Sequence, residues 1–158
     1  MEYLCSEKLI PSVVVTNDWF SALTAAYHKS GAFGDVFKGT KFLHIFHNLQ
    51  EAYEGRIYPG PGEGSLEYIH QLNPFVLMDP YWAKPIINPS RCAILCSDQW
   101  ATVSPSYLQE ILATSPLAPI LRNHPKVPFR FHSLLAFRIS KRNTSRSKAQ
   151  ETTRSSWY

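Results

Sequence analysis

The residues best suited to do chemistry follow two hydrophobic runs. Asn17 and Asp18 come directly after the valines of PSVVVTNDW, and His47 and Asn48 come directly after KFLHIF. Carboxylate and imidazole groups often act as acids and bases in active sites. Asp18 has two interpretations, a helix N-cap or a cleft carboxylate, and His47 either caps a strand or is carried by it into a cleft.

The other motifs narrow the choice of chemistry. No G-x-G-x-x-G, P-loop, G-x-S-x-G or H-E-x-x-H pattern occurs, so those routes to dinucleotide, nucleotide, hydrolase or metalloprotease chemistry are closed. His44 and His47 lie three apart, which on a strand predicts opposite faces and no shared metal. Glu51 and Glu54 resemble a glycosidase pair only superficially, and we expect both to be solvated.

The three cysteines predict neither disulfides nor a zinc site. Cys5, Cys92 and Cys96 are an odd number in a chain with no recognisable export signal. Cys92 and Cys96 are spaced to share a helix face, and no second Cys/His pair at ligand spacing accompanies them. We therefore expect buried thiols, no metal and no cofactor.

Alternating elements must position these residues. The valine run predicts a strand buried on both faces, DWFSALTAAYHKSG a helix closed by Gly31, and KFLHIF a second strand. A proline-rich excursion with helical turns at SLEYIHQL follows. SRCAILCSD then predicts a helix capped by Ser90, WATVS a third strand, and SPSYLQEILAT a helix that begins at Ser104.

This β-α-β-loop-α-β-α order predicts an α/β fold, a Rossmann-like open parallel sheet. Its three strands would end at Thr16–Asp18, at His47–Asn48 and at Ser104. In open α/β sheets, ligands bind at the carboxyl ends of the strands. Strand order therefore favours the cleft interpretation of His47 over the cap.

Charge divides the chain in two. Residues 1–120 carry seven Lys/Arg against eleven Asp/Glu, a net charge of −4, whereas residues 121–158 carry nine against one, a net charge of +8. The acidic body gives no electrostatic case for nucleic acid, and no apolar run is long enough to span a membrane. We expect an intracellular protein whose basic tail is largely disordered, with Ser140–Tyr158 its least structured part; a localisation or RNA-binding patch is the alternative for this tail.

Four stretches together resemble the starch synthases and bacterial-type glycogen synthases. In order, they are VVVTNDWFSALTAAYHK, FLHIFHNLQEAYEGRIYP, CAILCSDQWATVSPSYLQEIL and SPLAPILRNHPKVPF. They correspond to an H-D-W-H-like stretch, an H-N-L-x-x-Q-G-like stretch and a D-x-x-T-T-V-S-P-x-Y stretch of that family. The resemblance covers about residues 12–128, and the three motifs are more specific in combination than singly.

The resemblance implies a fold, an activity and a site. The fold is GT-B, in which two Rossmann-like domains face each other across a cleft. The activity is retaining transfer of glucose from ADP-glucose or UDP-glucose to the non-reducing end of an α-1,4-glucan. On this resemblance Asp18 and His47 are catalytic, with His47 near the donor glucose, and Asn48, Trp19 and Gly55 bind substrate. Electron-rich groups there suit an oxocarbenium-like transition state.

The chain departs from the family pattern in three ways. Asn17 and Phe20 replace the histidines that flank the Asp-Trp pair, and Glu54 stands where glutamine is usual, with a longer spacing to Gly55. The K-x-G-G-L loop and the nucleotide-binding C-terminal domain are missing. We therefore expect residues 1–128 to be a partial acceptor-side domain and residues 129–158 a non-homologous tail. A truncated gene model, or a frame change near Lys126, would explain that tail.

Two functions follow. The first is a fragment of a glucosyltransferase that is inactive alone, located in the cytoplasm or the plastid stroma. The second is a non-catalytic glucan-binding or regulatory module, which would contact sugar through exposed aromatic residues. The candidate aromatic side chains for stacking on sugar rings are Trp19, Tyr53, Tyr58, Tyr81 and Trp82.

Overall fold

Three parallel strands form the centre of the protein, as a computed structural model describes it for residues 1–60, 69–81 and 86–124. Strand β1 is Val13–Asn17, β2 is Lys41–Phe46 and β3 is Gln99–Thr102. The order in the sheet is β1-β2-β3, with Val15 opposite Leu43 and Ile45 opposite Ala101. The predicted α/β class and parallel sheet are confirmed. The predictions for the tail at 129–158, for Trp82 and for the first half of SLEYIHQL lie outside the described residues.

Short helices connect and follow the strands. They are α1 Glu2–Ser6, α2 Asp18–Ser21, α3 Leu23–Lys29, a 3₁₀ turn Glu51–Tyr53, α4 Pro74–Leu77, α5 Pro89–Cys96, α6 Pro105–Thr114 and α7 Ala118–Asn123. The single predicted helix after β1 is thus two helices that meet at Ala22. In the described part of the chain, no helix has the length and apolar character needed to cross a membrane.

Local signals account for the end of α3 and the start of α6. Gly31 has a φ of +81°, and the N–H groups of Gly31 and Ala32 donate to the carbonyls of the last turn of α3, which is the predicted glycine cap. Ser104 accepts from the N–H of Tyr107 at 3.1 Å, as predicted for the start of α6. The predicted cap of α5 was wrong. Asn88, not Ser90, accepts from the N–H of Arg91 at 3.0 Å.

One face of the sheet carries the core. Phe42, Phe46 and Trp100 project from it and are almost fully buried. The buried residues form two clusters, and α5 contributes to both. The first cluster is Ala22, Phe46, Leu49, Ala93, Ile94, Trp100, Ile111, Leu117 and Leu121. The second cluster is Ala25, Ala26, Phe42, Leu72, Leu77, Ile87, Cys92 and Cys96.

The prediction that β1 is buried on both faces was wrong. Val13 and Val15 are 52% and 50% exposed, while Thr16, whose side chain points to the other face, is buried. Among the described residues β1 is an edge strand, hydrogen-bonded to β2 alone. A run of valines therefore reported the β-branched preference of a strand rather than burial of both of its faces.

His44 is a buried core residue, separate from His47 as predicted. Its Nδ1 lies 2.8 Å from the Thr16 hydroxyl, and its ring meets Phe46 edge-on with centroids 4.4 Å apart. Burial lowers the pKa of His44 to about 4, although the nearby Asp18 carboxylate opposes the shift. His44 is therefore neutral in the folded protein at neutral pH.

All three cysteines are free thiols, as expected. Cys92 and Cys96 lie in the second core cluster, and burial raises the pKa of Cys92 to about 12. Such a thiol stays protonated and unreactive, so both residues serve packing.

Candidate functional site

The carboxylate of Asp18 joins the ends of the first two strands. Its Oδ1 accepts from the backbone N–H of His47 at 2.8 Å and from that of Asn48 at 3.3 Å. Asp18 itself has a φ of +47°, a left-handed conformation that aspartate tolerates better than most residues. This turn directs the side chain across to β2.

The N-cap interpretation of Asp18 is therefore wrong. Asn17 is the residue that precedes helix α2, and neither side chain caps it. Ser21 bonds the backbone of Asn17 instead. Its hydroxyl accepts from the N–H of Asn17 at 2.7 Å and lies 2.6 Å from the Asn17 carbonyl, to which it donates. The carboxylate of Asp18 is thereby left for the loop after β2.

His47 is exposed at the carboxyl end of β2. Its Nε2 lies 3.1 Å from Oδ1 of Asn17. Because an amide oxygen only accepts, this contact requires a proton on Nε2. Asn17, which was noted in the sequence as the replacement of a family histidine, therefore orients the imidazole. The motif position of Asn17, where the family has histidine, was the signal for it.

The loop from His47 to Gln50 is held by side chains at successive amides. Beyond the two bonds to Asp18, the N–H of Gln50 donates to Oδ1 of Asn48 at 2.9 Å. The N–H of Leu49 donates to the hydroxyl of Tyr107, in the first turn of α6. Sequence reasoning missed Tyr107, although it is the tyrosine of the quoted V-S-P-x-Y stretch. Asn48 thus shapes the loop through its own side chain.

Trp19 and Gly55 meet at a second place. A Cβ on Gly55 would lie 2.3 Å from Cβ and Cγ of Trp19, and the φ of Gly55 is +72°. Only glycine allows this approach and this conformation. The two residues line a cavity of about 490 Å³ together with Glu51, Ala52, Arg56, Ile57 and Tyr58.

Glu54 and Arg56, on either side of Gly55 in the chain, belong to a buried ionic cluster. Arg56 lies 2.8 Å from Glu54 and 3.0 Å from Asp79, and both carboxylates are fully buried. The Nδ2 of Asn88 donates to both acids at 2.9 Å. The expectation of a solvated Glu54 was therefore wrong, because Arg56 and Asn88 pair it inside the protein. Glu51, by contrast, is exposed as expected.

The two acids of this cluster differ in their ionisation. Burial raises the pKa of Glu54 more than Asn88 and Arg56 lower it. Burial also acts to raise the pKa of Asp79, but hydrogen bonds from Asn88, the Tyr81 amide and Arg56 outweigh it and the pKa is lowered. Asp79 is thus the firm anionic partner of Arg56. Arg56 and Asn88 each bind both acids, and the cluster stabilises the fold.

The geometry sorts the predicted site residues into two groups. Asp18, His47 and Asn48 come together at one sheet edge, whereas Trp19 and Gly55 meet at the cavity. Within the described residues no group of three or more His, Cys, Asp or Glu side chains is placed to hold a metal ion.

Comparison with known proteins identifies the family. Residues 1–123 match the model of the starch synthase catalytic domain. The chain belongs to the starch synthase catalytic domain family. The match includes Asp18, His47 and Tyr107, so the residues of the sheet edge all lie in the part of the chain that the family defines.

Two curated relatives agree with this assignment. A granule-bound starch synthase 1 from Triticum aestivum, described as chloroplastic/amyloplastic, is 32% identical over 113 residues. Its counterpart from Pisum sativum is 33% identical over 111 residues. Each match covers 64% of this chain but only 17% of the relative.

A solved structure confirms the fold. The catalytic domain of starch synthase IV from Arabidopsis thaliana, bound to ADP and acarbose, superposes with a TM-score of 0.57 at 23% identity. The match covers 89% of this chain and 26% of that one. The three-stranded unit therefore has a fold that matches part of a starch synthase GT-B catalytic domain.

Proposed function

We propose that this chain is the acceptor-side part of a retaining glucosyltransferase, which transfers glucose from ADP-glucose or UDP-glucose to the non-reducing end of an α-1,4-glucan. The observation that carries the proposal is the meeting of Asp18, His47 and Asn48 where β1 and β2 end. Family membership supplies the reaction class.

His47 and Asp18 have different roles in this proposal. The imidazole and backbone carbonyl of His47 face the transferred glucose and stabilise the positive charge that develops on it. Asp18 holds the two amides of the loop through Oδ1, and its negative charge lies beside the same place. Asn48 fixes the loop, and Trp19 and Gly55 form the adjoining sugar-contacting surface.

The isolated chain is proposed to be inactive. Transfer needs the nucleotide sugar held against His47, and the chain spans less than a fifth of the relatives that it matches. Half a cleft leaves the reacting carbon open to water and does not position the donor. We also propose that the chain meets its glucan in the plastid stroma or the cytoplasm. We propose neither a membrane nor a nucleic acid as a partner.

Two assays test this function. The isolated chain is first incubated with glycogen and labelled ADP-glucose or UDP-glucose, and we expect no transfer above background. Residues 1–123 then replace the matching segment of the wheat relative. We expect this chimera to transfer glucose, and we expect His47→Ala to reduce transfer at least 100-fold. Robust turnover by the isolated chain would refute its proposed inactivity; a folded chimera indifferent to His47→Ala would refute the role of His47.

A second candidate, a non-catalytic glucan-binding module, is favoured by a specific observation. Trp19, Tyr53 and Tyr58 are 42%, 53% and 54% exposed, and two of them line the 490 Å³ cavity. Exposed aromatic rings stack on the apolar faces of sugars. Retention on immobilised glycogen that falls with Tyr58→Ala, but not with His47→Ala, would favour this function over catalysis.

A further inference from the structure

Tyr107 lies outside the set of residues assigned to the site, yet it contacts the loop that carries them. Its hydroxyl accepts from the N–H of Leu49, one residue after Asn48. Leu49 is almost fully buried in the first core cluster, and the hydroxyl of Tyr107 is the acceptor for its N–H. The bond joins the site loop to helix α6, 58 residues away in the chain.

A cavity adjoins the loop on the side where this bond forms. A cavity of about 240 Å³ lies between the loop and α6, lined by Leu49, Gln50, Tyr107 and Ile111 among others. Leu49 packs in the same core cluster as Ile111 of α6, but the cavity leaves this side of the loop incompletely filled. Asp18 holds the loop from β1, and Tyr107 holds it from α6.

We propose that Tyr107 is a positioning residue, which fixes the His47–Asn48 segment against Asp18 for sugar recognition. This inference rests on the proposed function and deepens it. Without the hydroxyl, the segment can shift towards the cavity, and only the Asp18 carboxylate and the packing of Leu49 then oppose the shift. Tyr107 thus links the third family motif to the second.

The variant Tyr107→Phe removes one oxygen and keeps the ring. Ile87→Val is the matched control, because Ile87 lies in the second core cluster and its trimming lowers stability without touching the loop. Amide hydrogen exchange is measured first in the free chain. We expect exchange at Leu49 to rise at least tenfold relative to Phe46 in Tyr107→Phe, and to keep its wild-type ratio in Ile87→Val. An unchanged ratio in Tyr107→Phe would overturn the inference.

Sugar affinity is measured second, by titration with maltoheptaose well below the melting temperature. We expect three- to tenfold weaker binding for Tyr107→Phe and wild-type binding for Ile87→Val, a difference that lost stability alone does not produce. Equal weakening in both variants would overturn the positioning role. If the wild-type chain does not bind maltoheptaose, the proposed function fails, while the exchange ratio still decides whether Tyr107 holds the loop.

Discussion

Glu54 and Arg56 of the buried ionic cluster follow the site loop within ten residues, yet the polar groups of the loop and of the cluster behave oppositely. In the loop, the side chain of His47 is exposed and, among the described residues, forms a hydrogen bond to Asn17 alone. In the cluster, Arg56, Glu54 and Asp79 are buried and bound to one another. Polar residues that satisfy each other inside a protein stabilise a conformation, whereas polar residues anchored by backbone contacts at a sheet edge remain available to a ligand.

The largest loss in the free energy of unfolding is expected when the ionic cluster is broken. Replacing Arg56 with methionine leaves the carboxylates of Glu54 and Asp79 buried without their cation. Removing one partner of a buried ion pair costs about 3–5 kcal/mol, because the remaining charge is uncompensated. Urea unfolding measures the free energy. A loss below about 1 kcal/mol would mean that the cluster is hydrated and does not differ from the loop in kind.

The second effect is the pH dependence of stability that the buried His44 contributes. His44 has a pKa of about 4 in the folded protein against about 6.5 when unfolded. Below pH 6.5 the unfolded state therefore binds a proton that the folded state refuses, so stability is full above that pH and falls as the pH approaches 4. Between pH 7 and pH 4.5 this amounts to about 2–3 kcal/mol.

Unfolding at both pH values tests this sign. Since carboxylates also titrate in this range, the comparison is with His44→Gln, which keeps every other group. We expect the wild type to lose more stability on acidification than the variant does. Equal losses would show that protonation of His44 does not contribute to the pH dependence of stability.

The third effect concerns Gly55, which lies between Glu54 and Arg56 of the ionic cluster and close to Trp19. Gly55→Ala adds a Cβ that overlaps Trp19 and demands a φ of +72°, so we expect a loss of about 2–3 kcal/mol from clash and strain together. Gly31→Ala is the matched control. Its φ is +81° but nothing lies within 4 Å of the added atom, so only about 1 kcal/mol of strain applies. Thermal unfolding of both variants separates clash from strain, and equal losses would contradict the close approach to Trp19.

The smallest effect on stability is expected at the site loop. His47→Ala removes an exposed ring and one hydrogen bond, so the free energy of unfolding should change by less than about 0.5 kcal/mol. Denaturant unfolding checks this, with Arg56→Met measured in parallel. A loss at His47 comparable with that at Arg56 would erase the distinction between a ligand-facing and a structural group.

Local signals in the sequence predicted most of the fold. Short apolar runs predicted the strands, and Gly31 and Ser104 marked the end of α3 and the start of α6, because each acts on backbone groups within a few residues. The cap of α5 was misplaced because Asn88 and Ser90 are both good caps, and tertiary contacts decided between them. Ser90 donates instead to the carbonyl of Glu54.

Contacts between distant residues were beyond such signals. Strand order brought Asp18 to His47, but it gave no reason to expect that Oδ1 would accept from two backbone amides. Asn88, the hydrogen-bond partner of Glu54, lies 34 residues from it, and Leu49 and Tyr107 lie 58 apart. A pattern of residue types does not show which polar groups a fold brings face to face, so the buried state of Glu54 and the attachment by Tyr107 needed the structure.

Chemical-shift mapping with maltoheptaose tests the central claim most directly. The ¹⁵N-labelled chain is titrated with the sugar, and the backbone and His47 ring signals are followed. The account predicts that the largest shifts fall on Asn17–Trp19 and His47–Asn48, with small shifts at Arg56 and Asp79, and that His47→Ala weakens binding. Shifts confined to other parts of the chain, or no shifts at millimolar sugar, would contradict a sugar site at the carboxyl ends of β1 and β2.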